Sequence, residues 1–187
     1  MRRLVVTVVG AAVVGVLLSV LKGTGGGARL QFGNLSAPWL AVGFVAGTGH
    51  VRAGRAAAAG VVATVAALAG FYGQQSPLWG LSSDSLAFLG HPAQIYDFIV
   101  APHRVVFIGA TITGALFGVL GNFWAAHRSR RTLAAVALLF VCEPFAWLAS
   151  GAASDSSFRH YWWLWLAEMA LGLAAIVLIL RPRPTAP

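Results

Sequence analysis

The stretch Val105–Ala126, VVFIGATITGALFGVLGNFWAA, runs for 22 positions without a charged residue. At about 1.5 Å rise per residue a helix of that length extends about 33 Å, enough to cross the roughly 30 Å hydrocarbon core of a bilayer. The run is continuous rather than alternating, so it does not read as a half-buried strand. In lipid only a helix or a closed barrel satisfies every backbone N–H and C=O group. Ala110, Gly114, Gly118 and Asn122 recur at a four-residue spacing, which keeps them on nearly one helix face. The stretch therefore predicts a transmembrane helix with one face suited to close helix contact.

Outward from this stretch, five more apolar segments follow the same pattern: residues 4–21, 37–51, 56–72, 132–150 and 161–180, with 105–126 as the fourth in chain order. The fold class expected is all-α, a polytopic membrane bundle of about six transmembrane helices forming a single domain over residues 1–187. Composition agrees. The chain is 58% hydrophobic and 10% charged, against about 25% charged residues in a soluble domain. Too few charges remain to cover a soluble surface, so the bilayer is the expected partner. The net charge of +8 does not point to nucleic acid, because the basic residues sit at the ends of apolar runs. Cys142 is the single cysteine; it has no disulfide partner and reads as a core residue.

The basic residues also set orientation. Arg2, Arg3, Arg52, Arg55, Arg128, Arg130, Arg131, Arg181 and Arg183 fall at one set of helix ends, and Lys22, Arg29, Arg104 and Arg159 at the other. The positive-inside rule then places both termini in the cytoplasm. Trp39, Tyr72, Trp79, Trp147, Tyr161, Trp162 and Trp163 would form an outer aromatic belt, with Trp124 near the inner face. Met1-Arg2-Arg3 before an apolar stretch also resembles a signal peptide. The apolar run of 18 residues is long for one, and Gly26-Gly27-Ala28 is a poor cleavage site; the first helix is expected to be retained. Of the outer connections, residues 22–36 are glycine-rich, and the loop 73–103 is long for a compact domain. Within it, 93–100 is expected as a short helix on the outer membrane surface, and the whole loop as a surface segment or a lid.

Small residues recur on other segments too: Thr7, Ala11, Gly15 and Ser19 on the first, Gly43 and Gly47 on the second, and Ala56, Gly60 and Thr64 on the third. Ala11, Gly15, Gly114 and Gly118 are the expected helix-packing residues. Packing inside the bundle is one use of such stripes; docking a partner subunit is the other.

Glu143 and Glu168 are the residues most suggestive of chemistry. Each lies inside an apolar segment, where a carboxylate costs about 2.5–3.5 kcal/mol on insertion scales. Glu143 precedes the outer end of segment five by seven residues, and Glu168 follows the outer end of segment six by seven. Both then lie about 10 Å below the outer boundary. Antiparallel neighbours would bring the two acids together, and a close pair would share one proton, suited to proton exchange or to a cationic group. The alternative is that each acid is neutral and bonded to nearby backbone. Arg104, at the outer end of segment four, and Asn122, on its stripe, complete the expected ligand-binding set. Pro144 follows Glu143 and removes a helix hydrogen bond to the Phe140 carbonyl. If six helices divide into two inverted halves of three, segments two and five correspond. The first is glycine-interrupted and the second broken by Glu-Pro, a pattern that points to a transporter site.

The histidines do not suggest haem or metal. His50 and His127 fall at inner ends and His103 and His160 at outer ends, and His103 and His127 stand about 36 Å apart along one helix. No nucleophile triad, phosphate loop or HExxH motif is present. The expectation is no cofactor, no metal and no enzymatic activity.

The stretches Ser36–Phe44 and Ala66–Gly73, with Gly114–Gly121 and Val141-Cys142-Glu143, resemble a group of small actinobacterial membrane proteins catalogued as a domain of unknown function. The resemblance implies six helices in a bacterial plasma membrane and no particular activity. The architecture is also similar to the substrate-binding components of energy-coupling-factor vitamin transporters, matched loosely by Ala11 and Gly15, without a recognisable substrate motif. The expected function is binding or passage of a small solute through an outward-facing cavity lined by Glu143 and Glu168. The other reading is a non-catalytic accessory subunit of a larger membrane complex.

Overall fold

The computed structural model describes residues 2–23, 37–75, 96–149 and 159–181. These are all-helical, without strands. Six α-helices follow in chain order: α1 (Arg2–Lys22), α2 (Ala37–Thr48), α3 (Ala53–Gln75), α4 (Arg104–His127), α5 (Arg130–Ala149) and α6 (Trp162–Leu180). Four of them, α1, α3, α4 and α6, are long and apolar enough to cross a membrane. The twelve residues of α2 extend only about 18 Å. Large apolar side chains such as Val9, Leu17, Ile112, Leu171 and Val177 are more than half exposed. In water that would be a liability; in lipid it is the ordinary outer face of a bundle.

Within the expected loop 73–103, residues 73–75 still belong to α3, and residues 76–95, with Trp79, lie outside the described residues. The surface helix expected over 93–100 is replaced, where described, by a single π turn, Tyr96–Val100. A 3-10 turn, Ala101–His103, carries it straight into α4. Ile99 is buried with Leu68, Phe107 and Ala110, so this segment turns back into the bundle. Ile99 and Val100 serve the core, while Tyr96 stays exposed.

The contacts fix the direction of each helix. Ala56 meets Gly118 while Leu68 groups with Phe107, so α3 and α4 are antiparallel. Gly43 meets Gly114 and Gly47 meets Gly118, so α2 and α4 are parallel. Gly15 meets Ala67 and Ser19 donates to Gln74 at 2.6 Å, so α1 and α3 are parallel. Up-down alternation follows, and one end of the helices collects Arg3, His50, Arg52, Arg55, His127, Arg128, Arg130, Arg131 and Arg181. This is the end that the positive-inside rule expects on the inner side, and it is called the inner end below.

Packing does not divide the helices into threes. α3 lies against α1, α2 and α4, α2 also lies against α4, and α5 pairs with α6. Among the described residues α4 meets α5 only lightly, next to their two-residue connection. A division into two inverted halves of three, a conditional reading of the sequence, gains no support from α4. That helix packs instead with α2 and α3, because its glycine face is complementary to theirs.

Three reciprocal glycine contacts hold the first four helices. A Cβ on Gly15 would land on the Ala67 carbonyl, and one on Gly70 on the Ala12 carbonyl, joining α1 and α3. Likewise Gly118 faces the Ala56 carbonyl and Gly60 the Gly114 carbonyl, joining α3 and α4. Gly47 faces the Gly118 carbonyl and Gly121 the Phe44 carbonyl, joining α2 and α4. In each case a glycine Cα–H points at a carbonyl of the neighbouring helix, a contact worth about 0.5–1 kcal/mol. Lipid supplies no hydrophobic force between helices, so close approach of this kind carries the association. Gly15, Gly114 and Gly118 are buried in these contacts and Ala11 against Ala63 and Ala67, and the stripes on α1 and α4 are covered by α3 and by α2 with α3.

Polar links close the ends. At the inner end Asn122 donates to the His50 carbonyl. Arg128 closes α4 in the left-handed conformation, φ 48°, its N–H donating to the Trp124 carbonyl at 2.7 Å and its guanidinium lying 4.8 Å from the Trp124 ring centre. Ser129 accepts from the Thr132 N–H at 3.3 Å and so caps α5. At the outer end Trp39 and Tyr72 turn onto Phe71, edge to face at 5.1 and 5.2 Å, and Tyr72 stacks on His103 at 3.7 Å.

Candidate functional site

α5 and α6 pack as an antiparallel pair. Gly172 provides the close approach: a Cβ there would lie 2.9 Å from Val141 Cγ2 and 3.0 Å from the Ala137 carbonyl. At the inner end Arg130 donates from its guanidinium to the Arg181 carbonyl at 2.9 Å. With these two points fixed, helical geometry brings Glu143 opposite Glu168. From Arg130 to Glu143 is 13 residues and from Arg181 to Glu168 is also 13, so both acids sit about 20 Å above that bond. They lie about 9 Å below the outer ends of their helices, six residues from Ala149 and six from Trp162.

Both acids are buried, Glu143 at 8% exposure and Glu168 at 7%, and they lie close enough to act on each other electrostatically. No donor among the described residues reaches either Glu168 oxygen in hydrogen-bonding geometry. Carboxyls meeting in so apolar a place are costly to insert. The fold nevertheless turns both inward and away from lipid. Pro144 is buried beside Glu143 in the unbroken helix α5. Lacking an N–H, it leaves the Phe140 carbonyl, one turn below the acids, without its usual helix donor.

An open groove of 330 Å³ between α5 and α6 adjoins the pair on the Glu168 side, lined by Glu168 with Leu133, Val136, Ala137, Phe140, Leu171, Gly172, Ala175 and Ile179. Its walls run from the acids toward Arg130 and Arg181, on the inner side. The outward-facing cavity expected from the sequence is not what these helices form among the described residues. Small residues at Ala137, Gly172 and Ala175 leave space below the acids, whereas Leu164 and Trp165 fill the outer side of α6 with buried side chains.

Arg104 and Asn122 stand apart from this pair. Arg104 is exposed at the outer start of α4. Asn122, 18 residues and about 27 Å further along α4, spends its amide on the His50 carbonyl. Neither lines the cavity beside Glu168. Sequence reasoning missed Phe140, Gly172 and Trp165. The available signal was α6 itself: Trp165, Glu168 and Gly172 recur at helical spacing and share its buried face. No group of three or more potential metal ligands occurs among the described residues.

Comparison with known proteins gives a family and nothing finer. No curated protein and no solved structure matches the chain, so the expected similarity to energy-coupling-factor substrate-binding components gains no support from them. A family model matches residues 1–186, nearly the whole length, and carries the description "family of unknown function". The chain, an all-helical protein with four helices able to cross a membrane, belongs to this family, DUF6518.

Proposed function

We propose that this is a non-enzymatic, multi-pass protein of the bacterial plasma membrane that binds, or passes, a small solute bearing a positive charge. Glu143 and Glu168 hold that charge. The observation that carries the reading is the meeting of two buried carboxyls beside a cavity between apolar helices. A lone structural acid would be satisfied by a backbone or side-chain donor. Here the partner of Glu168 is a second acid, so the pair gains from any proton or cation placed between them. The apolar cavity suits the body of a small organic cation, in the manner of sites with few polar groups and mostly apolar walls.

The test is thermal unfolding of the detergent-solubilised protein against a panel of small primary, secondary and quaternary amines. A ligand present at a hundred times its Kd stabilises a protein by about 2.7 kcal/mol. At least one amine should raise the unfolding temperature of the wild type and leave Glu143→Gln/Glu168→Gln unmoved. An identical rise in the double variant removes the two acids from the site, and no rise with any amine removes cationic solutes from the reading.

A further inference from the structure

α1 and α2 both lean on α3 but diverge from each other. The divergence leaves a groove of about 1070 Å³ open to the membrane side, floored by Ala63 and Ala11. Its walls on α1 run from Arg3 to Val14 and on α2 from Pro38 to His50. The walls are aliphatic apart from the polar residues at its mouth. Arg3 and His50 stand there, with Thr7 and Thr48 beside them. Gly10 and Gly49 line the groove, and a Cβ on either would meet nothing within 4 Å, so here the glycines leave space instead of closing a helix contact.

Three observations say what fills it. The groove extends eleven residues along α1, about 17 Å, close to the depth of one leaflet of a roughly 30 Å core. It has one basic end, at the inner face, where Arg52 and Arg55 are exposed nearby in sequence. The acidic residues within the described helices and turns are Asp97, in the turn before α4, and Glu143 and Glu168, on α5 and α6. None of these acids lines the groove with Arg3. An apolar groove this deep does not retain water. The geometry points to an anionic phospholipid of the inner leaflet, held as a specific ligand, with an acyl chain between α1 and α2 and its phosphate between Arg3 and His50. Asn122 fixes the mouth of the site by holding the His50 carbonyl. A phosphate placed there receives a guanidinium and an imidazole N–H, and a basic residue near an anionic surface contributes about 1 kcal/mol, or roughly fivefold in affinity.

Native mass spectrometry of the full chain, titrated in mild detergent with phosphatidylglycerol or phosphatidylcholine, tests this. The wild type should retain one phosphatidylglycerol at concentrations where phosphatidylcholine is lost. Arg3→Gln should weaken phosphatidylglycerol retention about fivefold and leave phosphatidylcholine unchanged. Gly10→Phe, which fills the groove from a position with open space, should abolish retention of both while helicity by circular dichroism stays the same. Equal retention of the two lipids by the wild type overturns the proposal. So does undiminished retention in Gly10→Phe, or a lipid-free dimer that the same substitution dissociates, which would make the occupant a second copy of α1.

Discussion

Replacing Gly118 by alanine should separate helices that the fold holds in backbone contact. The new methyl carbon would lie 2.9 Å from the Ala56 carbonyl carbon, 3.2 Å from Gly60 Cα and closer still to the Ala56 oxygen. None of these is a flexible side chain, so α3 and α4 must move apart by about 1 Å. A gap of that size forfeits a quarter to a half of the dispersion energy of each contact along the seam, and overpacking of this kind costs about 1–3 kcal/mol. The Gly118 carbonyl also receives Gly47 of α2, so the disturbance reaches three helices and belongs near the top of that range. Gly109 is the matched control. It lies on the same helix, and a Cβ there would meet nothing within 4 Å. Gly109→Ala should be neutral or stabilising by about 0.5–1 kcal/mol through reduced backbone entropy. The same chemical change nine residues apart should therefore act with opposite sign. The two would differ by about 3 kcal/mol, more than a hundredfold in the unfolding constant. Equilibrium unfolding in mixed micelles, followed by tryptophan fluorescence, measures both. If Gly118→Ala is no more destabilising than Gly109→Ala, the reciprocal glycine contacts do not hold the bundle.

Other perturbations read different parts of the structure. A double-mutant cycle between Ser19→Ala and Gln74→Leu should give a coupling near 0.6 kcal/mol, the usual size for a hydrogen bond between membrane helices, from the 2.6 Å bond across α1 and α3. Asn122→Leu should cost about 1 kcal/mol and raise hydrogen exchange at residues 50–53, because the His50 carbonyl loses its donor; unchanged exchange there would refute that link. Glu168→Leu should not destabilise the chain and should raise its unfolding temperature, since removing a mid-membrane acid relieves about 2.5–3.5 kcal/mol of insertion cost. A clear loss of stability would mean that the acid is a structural bond and not a held-open site.

Much of the fold was legible because lipid imposes a simple demand. Each helix must be apolar for its whole length, so the uncharged run 105–126 and its neighbours mark helices directly. Spacing of four also marks the contact face, and Gly114, Gly118, Ala11 and Gly15 lie in helix contacts in the structure. Spacing does not say which face meets which. Gly114 and Gly118 suit α3, a partner protein or a second copy equally well on sequence alone. Only three-dimensional packing shows that the reciprocal glycines of α2 and α3 cover them. The conditional reading of two inverted halves rested on interruptions in α2 and α5, whereas helix pairing is decided by complementary faces. Depth counting did bring Glu143 and Glu168 to one level, since rise per residue is constant and the hairpin is antiparallel. Arg104 and Asn122 were included by character and not by depth, and they stand far from the pair. The side on which the cavity opens was beyond sequence, because it depends on which of Ala137, Trp165 and Gly172 face the interior.

Native mass spectrometry of the protein released gently from its own membrane, followed for small molecules and not lipids, is the most direct test of the carboxyl pair as a ligand site. The account predicts a co-purifying small cationic molecule in the wild type that is absent from Glu143→Gln/Glu168→Gln. The same molecule retained in the double variant, or bound protein subunits with no small molecule in the wild type, would contradict it.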